Sequence, residues 1–388
     1  MGLFLGYTLR NLTVRKLTTG ITIVGLGMVV FVFAAVLMLT NGLKQTLVET
    51  GSDNNAIIVR AAANAETVSI IGRDQAGVVT TQPEVALDAD GKPLAVEEIV
   101  VLVNIDKRHG EGLANTIIRG TTDNVFHLRE NIRITAGRMF TPGTSELIAG
   151  HAVSQNFKGC ELGGQITFAG RTWTIVGLFD SDGSGFDSEL WGPIEQVQQA
   201  FRRPIFSSIT MRLTDPARFD QLKTRLEADP RLTVKVEREK KFYADQSQMT
   251  TIFLDMIGMI ISVIFSLGAV IGAMITMYGA VANRTVEIGT LRALGFSRRL
   301  VMAVFLVEAV WIALLGGVVG VAAASLMSFV TVSTTNWGTF SELSFSFALS
   351  PAIVGSALAF AAAMGLIGGF LPAVRASRLR IVNALREE

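Results

Sequence analysis

Four long uncharged stretches mark the chain, one near its start and three crowded into its last third. Residues 17–43, 256–283 and 343–374 contain no Asp, Glu, Lys or Arg, and the run 300–330 is interrupted only by Glu308. A hydrocarbon core about 30 Å thick is crossed by roughly 20 apolar helical residues, so each stretch predicts a membrane-spanning helix. The first run passes through Phe31, Phe33, Leu37 and Met38 with no small-residue cleavage site, which predicts an uncleaved anchor and not a signal peptide. Residues 44–248 have ordinary soluble composition. The pattern therefore sets the expected fold class: an α-helical membrane protein with four transmembrane helices plus an α+β extracytoplasmic domain inserted between helices 1 and 2.

Within the insert, segments 56–60, 99–104, 116–120, 147–149, 209–213 and 232–237 are rich in β-branched residues and predict strands. A hairpin is expected where residues 165–168 and 172–177 alternate around Ala169-Gly170. Residues 220–226 predict a helix with Phe219, Leu222 and Leu226 on one face, and 240–249 a helical lead into the second span. Ahead of the first span, Leu5, Leu9 and Leu12 recur at helical spacing with Arg10, Arg15 and Lys16 elsewhere, the pattern of an amphipathic helix lying on the membrane. Gly268 with Gly272, Gly316 with Gly320, and Gly365 with Gly368-Gly369 are spaced so that helix backbones can approach one another.

Composition, 49% hydrophobic and 17% charged, averages these two materials, and a net charge of +1 gives no basic face for nucleic acid. The distribution of arginine says more. Arg10, Arg15 and Lys16 precede the first span, Arg284, Arg292, Arg298 and Arg299 separate the second from the third, and Arg375, Arg378, Arg380 and Arg386 follow the fourth. The connection 331–350 holds Glu342 and no Lys or Arg. The positive-inside rule then predicts both termini and the 284–299 segment in the cytoplasm, with the insert and the 331–350 loop outside.

Little in the chain suggests chemistry of its own. There is no G-x-x-x-x-G-K-[ST] phosphate loop, no H-E-x-x-H and no G-x-S-x-G. Cys160 stands alone, His109, His127 and His151 are scattered, and neither a disulfide nor a metal site is expected from them. The stretch 180–185 resembles the start of a calcium loop, but Trp191 occupies the position of the bidentate glutamate, so a polar turn is expected. Asp255 reads as an interfacial carboxylate at the outer end of the second span. Glu308, within the third, calls for a partner, with Arg292 or Arg299 the candidates.

The segment 284–299 mixes apolar Val286, Ile288, Leu291 and Leu294 with charges and breaks at Gly295, as a short amphipathic helix between two spans would. Its R-x-x-E-I-G-x-x-R-A-L-G pattern resembles the MacB/FtsX-like permeases of ABC transporters. Glu308, the G-x-x-P-A-x-R-A-S run ending at Ser377 and the terminal Ala384-Leu385-Arg386 are similar to further family motifs, although Ile381 stands where the family often has proline. In the insert, residues 146–150, 162–163, 166–177 and Ile194 resemble the MacB-type periplasmic core.

That resemblance implies a type VII, MacB/FtsX/LolC-like permease subunit of the inner membrane. The subunit would pass ATP-driven motion to its outer domain by mechanotransmission and export or extract a hydrophobic lipid, lipoprotein, glycolipid, peptide or drug. It implies no catalysis and no cofactor on this chain, ATP and magnesium being bound by two copies of a separate ATPase. A second permease copy and membrane lipids are expected partners, and an adaptor with an outer-membrane channel fits an export role. The FtsX branch of the family offers another reading, activation of a cell-wall hydrolase without transport. ATPase coupling would fall to Arg284, Glu287, Ile288, Gly289, Leu291, Arg292, Ala293, Leu294 and Gly295, with Pro372, Arg375, Ala384, Leu385 and Arg386 forming a C-terminal cytoplasmic motif. The expected order is a cytoplasmic helix (1–16), span 1 (17–43), outer domain (44–248), span 2 (249–283), coupling helix (284–299), span 3 (300–330), outer loop (331–350), span 4 (351–371) and tail (372–388), and the outer domain is expected in two lobes, one built from its two ends and one from its middle.

Overall fold

In the computed structural model, residues 16–379 are described, apart from Ala89 and 109–111. The amphipathic N-terminal helix expected over 2–16 and the motif Ala384-Leu385-Arg386 lie outside them. The chain forms two compact units: a helical one (residues to Asn41, Phe253–Val330 and Ser346 onward) and a mixed one (Gly42–Ile252 with Thr331–Phe345).

Helix α1 runs Lys16–Thr50 and leads into strand β1 (Asn55–Arg60). Helix α2 (Arg73–Thr80), strands β2 (Ala95–Asp106) and β3 (Leu113–Thr121), helix α3 (Val125–Leu128), strands β4 (Arg133–Gly137) and β5 (Glu146–Gly150) and helix α4 (His151–Asn156) follow. Next come β6 (Gln165–Phe168), β7 (Arg171–Asp180), β8 (Glu189–Pro193), α5 (Ile194–Phe201), β9 (Ser208–Arg212), α6 (Phe219–Ala228) and β10 (Val234–Arg238). Helix α7 (Glu239–Ala282) starts at the residue after β10, and α8 (Thr285–Ala293), α9 (Arg298–Ser325), the hairpin β11 (Thr331–Asn336) and β12 (Ser341–Ser346), and α10 (Pro351–Arg378) complete the chain. Four stretches, Thr19–Thr50, Thr250–Ala282, Arg298–Phe329 and Pro351–Arg378, are long and apolar enough to cross a membrane.

The helical unit owes its packing to small residues. A Cβ placed on Gly320 would lie 2.4 Å from the carbonyl oxygen of Gly27, and one on Gly316 2.9 Å from that of Ile23, so α1 and α9 touch backbone to backbone. Gly365 and Gly369 let α10 close on α9, a Cβ at each meeting the Cβ atoms of Ala313 and Ala309 at 2.7 and 2.4 Å. Gly268 and Gly272 differ from the sequence expectation: among the described residues, nothing beyond their own helix backbone comes within 4 Å of a Cβ at either. The fourth helix also runs past the expected end of its span, with Pro372 buried inside α10.

The mixed unit is built on one continuous path of strands, ordered β10-β1-β9-β2-β3-β8-β5-β7-β4 with β6 added to β7. Strand β2 joins two halves. Its Ala95–Glu98 stretch pairs with β9, and from Ile99 on it pairs with β3. The first half (β10, β1, β9 and the start of β2) packs Ile58, Val236, Met211 and Leu222 into one core. The second packs Ile118, Leu147, Trp173 and Leu190 into another. The β6–β7 turn has φ of 50° at Ala169 and 70° at Gly170, two left-handed residues as a two-residue hairpin requires. Residues 331–350, expected as a loop, instead contain the β11–β12 hairpin. Its Glu342 pairs with Lys107 at 2.6 Å, Asn115 donates to the Phe340 carbonyl at 2.9 Å, and the Ser344 N–H donates to Ser188 Oγ at 3.0 Å. Alternating Leu343 and Phe345 are buried with it, which is why the segment forms a strand.

Where the two halves meet, charge is buried. Arg119 has no exposed surface and donates all five N–H groups: Nε to Glu189 (2.7 Å), Nη1 to Glu66 (2.8 Å) and Glu98 (3.1 Å), and Nη2 to Glu66 (3.0 Å) and Glu189 (2.8 Å). Arg129 donates to both oxygens of Glu98 (2.8 and 2.9 Å) and to Glu239 (3.2 Å), with its guanidinium 4.3 Å from the Phe186 ring centre. Burial works against ionisation of Glu66, but Arg119, with Ser208 donating as well, outweighs it and holds the carboxyl at about 2. Glu189 moves the other way: burial pushes it up, Arg119 offsets this only in part, and the charge of Glu66 adds to the rise. The two carboxylates share one cation but not their other donors: Glu66 also accepts from the Ser208 and Tyr243 hydroxyls, and Glu189 from the Trp191 indole N–H.

Two expectations follow from this packing. Gly320→Val should destabilise the protein by about 1–3 kcal/mol, as overpacking does, while Gly272→Val should change little. Thermal unfolding in lipid nanodiscs checks both, and equal losses would contradict the assigned contact. The lowered Glu66 carboxyl contributes stability that is complete above its ordinary value of 4.5 and disappears as pH falls towards about 2. Glu146, held at about 2 by Arg138, acts in the same window. Chemical unfolding followed across pH should show stability falling over that interval, and a flat profile would contradict the network.

Candidate functional site

The segment between the second and third long helices forms the candidate site. Helix α7 ends at Ala282, Asn283-Arg284 make the turn, and α8 closes its first bond from the Ile288 N–H to the Arg284 carbonyl at 2.9 Å. Gly295, with φ of 92°, ends it: its N–H donates to the Arg292 carbonyl, and the Phe296 N–H to Leu291. This left-handed residue just past a helix suits glycine. Ser297 then caps α9, its Oγ accepting from the Leu300 N–H at 3.3 Å. The glycine and serine in the motif are therefore stop and start signals for two consecutive helices.

Arg284 is the hub. Its Nε donates to Glu287 at 2.9 Å and its Nη1 to Glu308 at 2.9 Å, while the guanidinium lies 5.1 Å from the Phe305 ring centre. The side chains of Arg284 and Glu308 are 12% and 9% exposed, so this is a nearly buried ion pair that ties α8 to the third long helix. Glu308 thus pairs with Arg284 and not with Arg292 or Arg299. The turn at residues 283–284 brings Arg284 against α9, whereas Arg292 points back to donate to the Phe296 carbonyl at 3.1 Å. Burial, and then the neighbouring charge of Glu308, push the Glu287 carboxyl above its usual range.

Around this hub the motif residues divide by exposure. Ile288 and Gly289 are buried within the helical unit and seat α8. Val286, at 51% exposure, and Leu294, at 72%, are apolar side chains left facing outward, and Ala293 and Gly295 are exposed beside Leu294. Leu291 is half-buried. Arg375, near the end of α10, lies 5.5 Å from the Tyr278 ring centre on α7, which brings the end of the second helix to the end of the fourth.

Elsewhere the polar residues serve structure. The expected polar turn is held by Asp187, whose carboxylate accepts from Ser181 N and Oγ and from Gly183 N, and by Asp180, which accepts from Asp182 N. Cys160 is fully buried, and burial pushes its thiol up to about 12. Among the described residues no cluster of His, Cys, Asp or Glu is arranged to hold a metal ion. The mixed unit also has an open polar cleft of about 880 Å³ floored by Asn55, Arg129 and Glu239. The buried charges of that unit were missed by motif reading. Their one sequence signal is a lone charge inside an apolar strand, as at Arg119 in β3.

Comparison with known proteins agrees with this architecture. Residues 19–229 match the family model of the MacB-like periplasmic core domain, and residues 259–381 that of the FtsX-like permease C-terminal region. The ABC transporter permease YknZ of Bacillus subtilis is 26% identical over 302 residues, 72% of each chain. The macrolide export ATP-binding/permease protein MacB 1/2 of Paracoccus denitrificans is 28% identical over 87% of this chain and 53% of its own length. The chain thus spans about half the length of that MacB relative. Among solved structures, the periplasmic region of MacB from Actinobacillus actinomycetemcomitans aligns with 50% of this chain and 92% of that one, at 14% identity and a TM-score of 0.37. With more than half of its residues in the first family match and most of the rest in the second, the chain belongs to the ABC transporter permeases that join a MacB-like periplasmic core domain to an FtsX-like permease domain.

Proposed function

We propose that this permease passes motion from an ATP-hydrolysing partner to its inserted domain, and that the motion exports or extracts a hydrophobic substrate such as a lipid, lipoprotein, glycolipid, peptide or drug. The observation that carries this reading is the Arg284–Glu308 pair, which makes α8 a lever fixed to a membrane helix instead of a free loop. Breaking a nearly buried ion pair is costly because the remaining charge is left uncompensated, so α8 and α9 move together. The outward Val286, Ala293, Leu294 and Gly295 form the surface offered to the ATPase, and Ile288 and Gly289 support it from behind. ATP and magnesium belong to that partner. Two ATPase copies and a second permease copy complete the assembly, and an adaptor with an outer-membrane channel would extend it for export.

A continuous helix supports the same reading. Helix α7 continues for 44 residues, about 66 Å at 1.5 Å per residue, from Glu239 to the turn at Arg284. Its backbone hydrogen bonds are satisfied within the helix, so it can carry displacement through lipid without an aqueous path. The concentration of arginines at 284–299 and 375–386 supports a cytoplasmic position for α8 and the C-terminal end, and an outer position for the inserted domain.

Coupling and topology are tested separately. Glu287→Arg sets two cations against each other at the hub and should abolish stimulation of the partner's ATP hydrolysis while expression is retained; unchanged hydrolysis would reject the assignment. For topology, native Cys160 is too buried to report, so it is replaced by serine and single cysteines are introduced at exposed Glu161 and Ser297. A membrane-impermeant maleimide should label position 161 in intact cells, or in spheroplasts where an outer membrane is present, and leave 297 untouched. The reverse pattern would invert the topology.

A further inference from the structure

The buried charges of the mixed unit are arranged around the first turn of α7. No loop separates β10 from this helix, since Arg238 ends the strand and Glu239 begins the helix. Glu239 is fully buried. Its Oε1 accepts from Arg129 at 3.2 Å, and its Oε2 accepts from the Ser52 N–H at 3.1 Å and from Asn55 Nδ2 at 2.8 Å. One turn later, Tyr243 donates its hydroxyl to Glu66 at 3.1 Å. The end of α1 closes on the same point, because a Cβ on Gly51 would lie 2.5 Å from the backbone of Glu239 and Lys240. From the second half of the unit, the Gly185 N–H donates to Thr50 Oγ1 at 2.7 Å.

Beyond Arg129 the contacts reach both halves. Arg129 is bound bidentately by Glu98, the last residue of β2 to pair with β9 before the strand changes partner to β3. Glu98 and Glu66 bind Arg119 of β3, which holds Glu189 of β8. Every carboxylate oxygen in the group accepts at least one hydrogen bond. Buried ion networks are a poor source of stability compared with apolar packing, but their directional bonds fix geometry.

We infer that Glu239 and Tyr243 are positioning residues: through Arg129, Glu98 and Arg119 they make the first turn of α7 set the angle between the two halves of the inserted domain. This rests on the motion-relay reading above and adds where the motion is delivered. A shift or rotation of α7 moves Glu239 and Arg129 as one body. The change reaches β2 at the residue where its pairing switches, beside the apolar cluster in which Ile57 and Val59 of the first half meet Ile148, Phe179 and Trp191 of the second, with Phe242 and Tyr243 of α7 packed into it.

The full-length permease with its ATPase in lipid nanodiscs provides the test. Cysteines at exposed Lys158 in the second half and Thr224 in the first, in a Cys160→Ser background, carry spin labels whose separation is measured with and without ATP and vanadate. The unmutated protein should show a nucleotide-dependent shift in that distance. Glu239→Gln should retain stimulated ATP hydrolysis and lose the shift. Tyr243→Phe, which removes one hydroxyl and is read alongside in case Glu239→Gln fails to assemble, should reduce it. A full shift in Glu239→Gln, or in Tyr243→Phe where Glu239→Gln does not assemble, overturns the inference and leaves the relay standing, the network then being structural only. No shift in the unmutated protein overturns the relay itself, and the inference with it.

Discussion

Arg119 gives all five of its N–H groups to three glutamates in a place water does not reach, and the arrangement of the mixed unit depends on that fact. A guanidinium can be buried this completely only if carboxylates arrive from several directions at fixed distances. Those carboxylates come from the turn after β1 (Glu66), from β2 (Glu98) and from β8 (Glu189), so satisfying one side chain fixes three separate pieces of chain. Around it, four carboxylates face two guanidiniums. The rise of Glu189 beside the fall of Glu66 shows how the excess negative charge is accommodated.

The helical unit uses the same device once more on a smaller scale. Arg284 bridges Glu287 and Glu308, and the rest of that unit is held by close backbone contact at Gly27, Gly316, Gly320, Gly365 and Gly369. Lipid gives helices no hydrophobic reason to associate, so contact of this kind and a few buried polar bonds must do it. A pairing that joins a short helix to a long one is therefore both structural cement and, in our proposal, the means by which the ATPase moves the permease.

Much of the fold was legible because burial writes itself into residue type. The β-branched runs at 56–60, 99–104 and 116–120 lie within β1, β2 and β3, and the glycine turn at 169–170 joins β6 to β7. The hairpin at 331–346 was not legible, since serine and threonine alternate there with few apolar residues and its order comes from contacts with Lys107, Asn115 and Ser188, far away in sequence. Glu308 was recognised as needing a cation, yet Arg292 and Arg299 are nearer in sequence than Arg284. Only the turn at 283–284 reverses that order in space. The Arg119 cluster joins residues up to 177 positions apart when Tyr243 is included, and beyond the lone charge in β3 no local pattern announces it.

Transmission of the kind proposed depends on α7 being unbroken between the buried charges at its start and the turn at Arg284. A flexible glycine-serine insertion after exposed Asp245 interrupts it outside the apolar span, and hydrogen–deuterium exchange of β2 and β3 in the assembled transporter reads the effect. In the uninterrupted protein, exchange in these strands should change when ATP binds; with the insertion the change should vanish while ATP hydrolysis persists. An ATP-dependent change that survives the insertion would contradict transmission through this helix.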